Sequence, residues 1–200
     1  DAARIGMKTK LYITQSNGGI MSAATAREAP VRTLLSGPAS GVVGAAYVAR
    51  LAGVRDAVTI DIGGTSADVS LVREGEPAHS TEARVGEFPV VMPSVDVFAV
   101  GAGGGSIAWV DGLGVLKVGP QSAGADPGPL CYGKGGVHEG AVTITDAHLL
   151  LGRIPPHLLG GEIPLDVEAA RAGIADLAEQ LGLDFERCAN GILEISAWNQ

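Results

Sequence analysis

The sequence predicts an α/β fold, a mixed sheet with helices and a glycine-rich insertion, and three observations lead there. A proline-opened, largely apolar helix pattern, SGPASGVVGAAYVARLAG, runs from Ser36 to Gly53. Two short runs of alternating apolar and polar residues, Ala57 to Ile62 and Ala67 to Val72, follow it on either side of Gly63-Gly64-Thr65-Ser66. Two amphipathic patterns of helical period close the chain, one after Asp166 and one after Asp184.

Taken in order, residues 1–35 predict a strand from Lys10 to Thr14, a turn at Asn17-Gly18-Gly19, and a short helix from Ala23 to Glu28 that stops before Pro30. In the next helix Ser36 is the expected N-cap, Pro38 stands near the first helical position, and Gly53 is the C-cap. Gly41 and Gly44 inside it each cost about 1 kcal/mol relative to alanine, so that face should pack tightly on backbone or on a ligand. The stretch from Phe88 to Val100 is apolar but broken by Pro89 and Pro93, and ends at Gly101-Ala102-Gly103-Gly104-Gly105-Ser106. Ile107 to Val110 and Val115 to Val118 then predict a hairpin, and a glycine- and proline-rich loop runs from Gly119 to Gly140.

Asp166 caps a helix whose apolar residues Val167, Ala170, Ile174, Leu177, Ala178 and Leu181 follow the 3.6-residue period, with Gly182 closing it. The last helix presents Phe185, Cys188, Ala189, Ile192 and Leu193 on one face, which makes Cys188 a core residue rather than a nucleophile.

With 46% hydrophobic and 18% charged residues, the 200-residue chain can bury a core. A net charge of −8 argues against a broad basic face for nucleic acid or anionic membrane. Any anion must then be met locally, by backbone amides or a metal. Cys131 and Cys188 are far apart and belong to no CxxC or His/Cys cluster, so neither a disulfide framework nor a structural zinc site is expected, and a cytoplasmic location fits. No apolar run reaches the roughly 18 residues of a membrane span. The chain opens without methionine and stops within a helical pattern, which suggests a piece of something longer.

The turn in TIDIGGTSADVSLV, Thr59 to Val72, carries the chemistry. Nucleotide loops of the Walker and dinucleotide types run strand, loop, helix. Here the alternation resumes after Ser66, so the turn joins two antiparallel strands. Such a hairpin can aim consecutive N–H groups into an anion-binding concavity, to which the Thr65 and Ser66 hydroxyls add donors. Asp61 at the strand end could hold Mg²⁺ through water, with Asp68 as the second candidate, because magnesium favours one or two carboxylates plus phosphate oxygens. A β-branched residue such as valine at Gly64 would not readily adopt the positive φ expected there and would crowd a phosphate. The plainer alternative is an ordinary hairpin turn with solvated aspartates. Asp146 and His148 could act as an acid/base or metal pair in a turn or helix start. His79, His138 and His157 have loop-like neighbours and no ligand spacing.

A glycine-containing helix followed by Asp-x-Gly-Gly-Thr-x-x-Asp-Val-Ser, Asp61 to Ser70, resembles the second phosphate loop of the actin, sugar-kinase and heat-shock-chaperone ATPase superfamily. More narrowly, the segments 33–39, 61–69, 100–108, 118–129, 131–133 and 145–147 resemble, in order, the hydantoinase A and 5-oxoprolinase family and the related acetone and acetophenone carboxylase subunits. The resemblance implies an actin-like lobe in which 1–35 is a preceding element, 36–100 the phosphate-loop core, 101–160 family-specific loops and 161–200 a helical segment. It implies ATP and Mg²⁺, with Asp61 and Asp126 catalytic, Asp61 and Asp68 at the metal, and Gly63, Gly64, Thr65, Ser66, Asp68, Gly103, Gly104, Gly105 and Ser106 at the nucleotide. It gives His148 no required part. A cyclic amide is the implied substrate and a hydantoinase B-type subunit or domain the implied partner, self-association is compatible with it, and these residues by themselves are expected to be inactive. Alternatives are a ketone carboxylase subunit, a small-metabolite kinase, or an actin-like nucleotide-binding module without chemistry.

Overall fold

A computed structural model describes residues 2–6, 10–85, 88–134 and 141–199. It is a mixed α/β structure that groups into two compact units, Asp1–Asp61 with Asp68–Phe98, and Ile62–Ala67 with Ala99–Gln200.

In the first unit, β1 (Tyr12–Thr14) and β2 (Ile20–Ser22) pair antiparallel, Ile13 opposite Met21. Helix α1 (Ala23–Glu28) starts where Ser22 Oγ accepts from Thr25 N at 3.1 Å. Helix α2 (Ser36–Leu51) buries Ala39, Val42 and Ala46, spaced for one helical face, against Val72 and Val95. Two expectations for α2 change. Leu35, not Ser36, is the cap residue: the 3₁₀ turn Pro30–Thr33 leads the chain directly into the helix, and the Leu35 carbonyl accepts from Ala39 N at 3.0 Å. Nor do Gly41 and Gly44 pack tightly, since a Cβ at either would meet nothing within 4 Å. Gly53, at φ +75°, ends the helix as expected.

Strands β3 (Ala57–Ile62), β4 (Ala67–Arg73) and β5 (Glu76–Pro77) form one sheet in that order. Strands β6 (His79–Val85) and β7 (Phe88–Val95) make a separate antiparallel pair. The polar sequence of β6 hides its strand character, and β7 runs through both Pro89 and Pro93. In a two-stranded ribbon both strands are edges, where proline's missing N–H costs little. Strand β8 (Val97–Val100) pairs with β4.

The second unit carries the sheet β10-β9-β11, made of β9 (Ser106–Val110), β10 (Leu116–Ser122) and β11 (Val142–Thr143). The predicted hairpin is β9 and β10, its turn held by Asp111 Oδ1, which accepts from Leu113 N at 2.9 Å and Val115 N at 3.0 Å. Helix α3 (Ile144–Leu150) follows β11, then the short pair β12 (His157–Leu158) and β13 (Ile163–Pro164). Helices α4 (Val167–Leu181) and α5 (Phe185–Asn199) lie as predicted, α4 capped by Asp166 and ended by left-handed Gly182. Their apolar faces supply Ile174, Leu177, Cys188 and Ile192 to a core shared with Ala108, Val142 and Ile144. Fully buried Ile174 and Ile192 each contribute about 1.5–3 kcal/mol of hydrophobic stabilisation.

Candidate functional site

Within the second unit the turn Gly63 to Ser66 closes by a hydrogen bond from Gly63 N to Ser66 O, 2.8 Å. The glycine loop that precedes β9 lies directly against it: Gly104 N donates to Gly63 O at 2.9 Å and Gly105 N to Gly64 O at 2.6 Å. A Cβ on Gly103 would stand 2.7 Å from backbone atoms of Gly64, Thr65 and Ser66, so this approach needs glycine. Ser106 is buried and turned inward, its hydroxyl accepting from Gly103 N at 3.1 Å. The turn itself is exposed at Gly63, Gly64 and Thr65. Gly64 departs from expectation, for its φ is not positive and a Cβ there would meet open space.

Helix α3 supports the loop from the other side of its backbone. Thr145 gives both its N–H and its hydroxyl to the Gly104 carbonyl, at 2.9 and 2.8 Å. Asp146, wholly buried, forms a capping box with Thr143 and accepts from Thr143 N (2.8 Å), Thr143 Oγ1 (2.7 Å), Cys131 N (2.8 Å) and Leu130 N (3.3 Å). That carboxylate is fully engaged in holding α3 and the 3₁₀ turn Leu130–Tyr132, so Asp146 and His148 do not form a reactive pair. Residues two apart on a helix face different ways. Burial, and then the Asp146 charge, push the Cys131 thiol far up, so it stays protonated. Burial alone raises the Cys188 thiol, in keeping with its core position.

A cavity of about 500 Å³ opens in this unit. Its lining includes Gly63, Gly64, Gly103 and Gly104, the polar side chains of Tyr132, Thr145, His148, Arg153 and Ser196, and apolar Ile62, Ile144 and Leu193. Burial, and secondarily the Arg153 charge, lower the proton affinity of His148, which therefore stays neutral at neutral pH. Arg153 escaped sequence reasoning because a single arginine after a helix end has no spacing signature.

In the first unit, Asp61 and Asp68 line a cavity of about 200 Å³ with Pro38, Gly41, Thr59 and Ile60. Burial, and then the charge of Asp61, raise the carboxyl of Asp68. Two carboxylates on one cavity fall within the one or two that a magnesium ion takes when phosphate and water complete its shell. No group of three or more His, Cys, Asp or Glu residues gathers among the described residues.

Asp126 is exposed and lines neither cavity; its loop is pinned by Lys134 Nζ to Ala125 O at 3.2 Å. His79 and His157 are exposed, and His138 lies outside the described residues. No helix among the described residues is long and apolar enough to cross a membrane.

The chain belongs to the hydantoinase/oxoprolinase family, whose model matches residues 2–199. It is 44% identical to the caprolactamase subunit alpha of Pseudomonas jessenii, over 96% of this chain and 27% of that protein. It is 33% identical to the 5-oxoprolinase of Saccharomyces cerevisiae, over 94% of this chain and 15% of that one. A nucleotide-free acetone carboxylase structure superimposes with a TM-score of 0.82 at 33% identity, over 96% of this chain and 27% of that chain. The chain thus spans less than a third of the length of these relatives.

Proposed function

We propose that this chain is part of an ATP-dependent hydrolase that opens cyclic amides of the hydantoin, N-methylhydantoin or 5-oxoproline type. The observation that carries the reading is the exposed Gly63-Gly64 turn, held rigid from beneath by Gly103 to Gly105, in a family that includes a caprolactamase and a 5-oxoprolinase. An unactivated lactam resists water. Phosphorylating its amide oxygen makes the ring carbon electrophilic, and phosphoryl transfer depends mainly on positioning and charge neutralisation.

In this reading the amides of Gly63 and Gly64 and the hydroxyls of Thr65 and Ser66 meet the phosphates of ATP. Gly103, Gly104 and Gly105 set the turn, and Ser106 secures their loop. Asp61 and Asp68 would hold Mg²⁺, which supplies charge neutralisation at the phosphates when bound. Asp126 is assigned to catalysis from its place in the family-like segment alone. A hydantoinase B-type subunit or domain is the proposed partner, self-association is compatible, and a cytoplasmic location is proposed. These residues by themselves are proposed to be inactive.

A second reading, a subunit of an ATP-dependent ketone carboxylase, is favoured by the structural likeness to acetone carboxylase. The full-length protein with its partner subunit separates the two: ATP hydrolysis stimulated by 5-oxoproline, hydantoins or other lactams supports the hydrolase, and stimulation only by ketones with bicarbonate replaces it. Asp61→Ala is expected to lower turnover by about 100-fold or more while the melting temperature holds, because the side chain is exposed. Full activity in that variant removes Asp61 from the mechanism.

A further inference from the structure

The cavity of the second unit has a wall that the glycine loops do not explain. Thr145 and His148 stand three residues apart on α3 and so share a side of that helix, and Arg153 follows just past its end; all three line the cavity. The wall is fixed. Thr145 is tied twice to the Gly104 carbonyl, Asp146 locks the start of α3 from its buried side, and Arg153 N donates to His148 O at 2.9 Å. The guanidinium carries no carboxylate partner among the described residues, in a chain of net charge −8.

A planar guanidinium matches phosphate oxygens with two parallel N–H donors, which an ammonium cannot do. A neutral imidazole beside it offers an N–H without a competing charge. We propose that Arg153 and His148 bind a phosphoryl oxyanion in the cavity lined by Gly63, Gly64, Gly103 and Gly104, as substrate-contacting residues of the site. At about 500 Å³ the space exceeds one phosphate, and Ile62, Ile144 and Leu193 leave an apolar side for whatever the phosphate is attached to. The source of that oxyanion, though not its binding, rests on the ATP-dependent reading above. Its chemistry is a tetrahedral phosphate group, which comes either from the end of the nucleotide or from the phosphate released after ring opening.

The test uses the full-length protein in wild-type, Arg153→Gln, Arg153→Lys and His148→Ala forms. Binding of inorganic phosphate is measured by ³¹P NMR titration, and its inhibition of ATP hydrolysis by steady-state kinetics. Arg153→Gln is expected to weaken phosphate binding by about tenfold or more and to lower kcat by about 100-fold, with Arg153→Lys recovering part of both. His148→Ala is expected to have the smaller effect, roughly threefold to tenfold. A rise in KM for ATP alongside the phosphate effect assigns the wall to the nucleotide's terminal phosphate; an unchanged KM assigns it to released phosphate. Phosphate binding and kcat within twofold of wild type in Arg153→Gln overturn the proposal, and Arg153→Met, which keeps an apolar stem without the charge, decides the matter by the same measure if the glutamine variant does not fold. A wild-type protein that hydrolyses no ATP but binds phosphate through Arg153 would instead sink the proposed function and leave this inference standing.

Discussion

Two glycine segments meet in the second unit, and they use the same residue for opposite reasons. In the Gly103 to Gly105 loop glycine is required by the protein's own backbone: a Cβ on Gly103 would sit 2.7 Å from three main-chain atoms of the facing turn, and one on Gly105 2.8 Å from Gly64 O. At Gly64 a Cβ would meet nothing, and the residue is exposed. The buried loop is scaffold, and the exposed turn is the face proposed to meet phosphate. Glycine content alone therefore does not locate a ligand; what surrounds each missing side chain does.

That distinction can be broken by substitution. The largest effect is expected from Gly103→Ala, whose methyl group forces the two backbones apart; overpacking of this kind costs about 3 kcal/mol, seen as a lower urea midpoint in the full-length protein. Next comes Gly64→Ala, which should cost less than about 1 kcal/mol of stability yet weaken nucleotide binding about tenfold by calorimetry, since a methyl group on the open face intrudes where phosphates approach. If Gly64→Ala melts as early as Gly103→Ala, the contrast between scaffold and surface is wrong.

The smallest effect sharpens the comparison at the helix that braces the loop. His148 has a folded-state pKa below its ordinary 6.5. Above 6.5 both folded and unfolded chains keep it neutral. As pH falls below that value the unfolded chain takes up a proton that the folded chain refuses, so stability is lost down through the folded pKa. Melting curves at pH 7.5 and pH 5 should show this decline, and His148→Asn should flatten it.

Much of the fold was legible in the sequence where local pattern and local chemistry agree. Helices α4 and α5 followed from apolar spacing with Asp166 and Gly182 at the ends, and β3, β4 and the β9-β10 hairpin followed from alternation around turn residues. Strand β6 was hidden because its partner β7, not its own composition, makes it a strand. Helix α3 is seven residues long, too short for periodicity to announce; its boundary is set by a capping box whose carboxylate also holds residues fifteen or more positions earlier. Of the candidate site, the Gly63-Gly64 turn and its flanking aspartates stood out in the sequence, whereas Arg153 and the inward direction of Ser106 did not.

The order of residues determined by itself that α2, α4, α5, β3 and β4 become helix and strand, that two glycine-rich stretches exist, and that acidic side chains bracket one of them, because these depend on neighbours a few positions apart. Tertiary structure alone decided that one glycine stretch is the floor of the other, that Asp146 is spent on backbone amides while His148 and Arg153 reach a cavity, and that Gly41 is open rather than packed. The physical reason is that burial and close approach arise between residues far apart in the chain, such as Gly104 and Thr145, and no local pattern records how near they come.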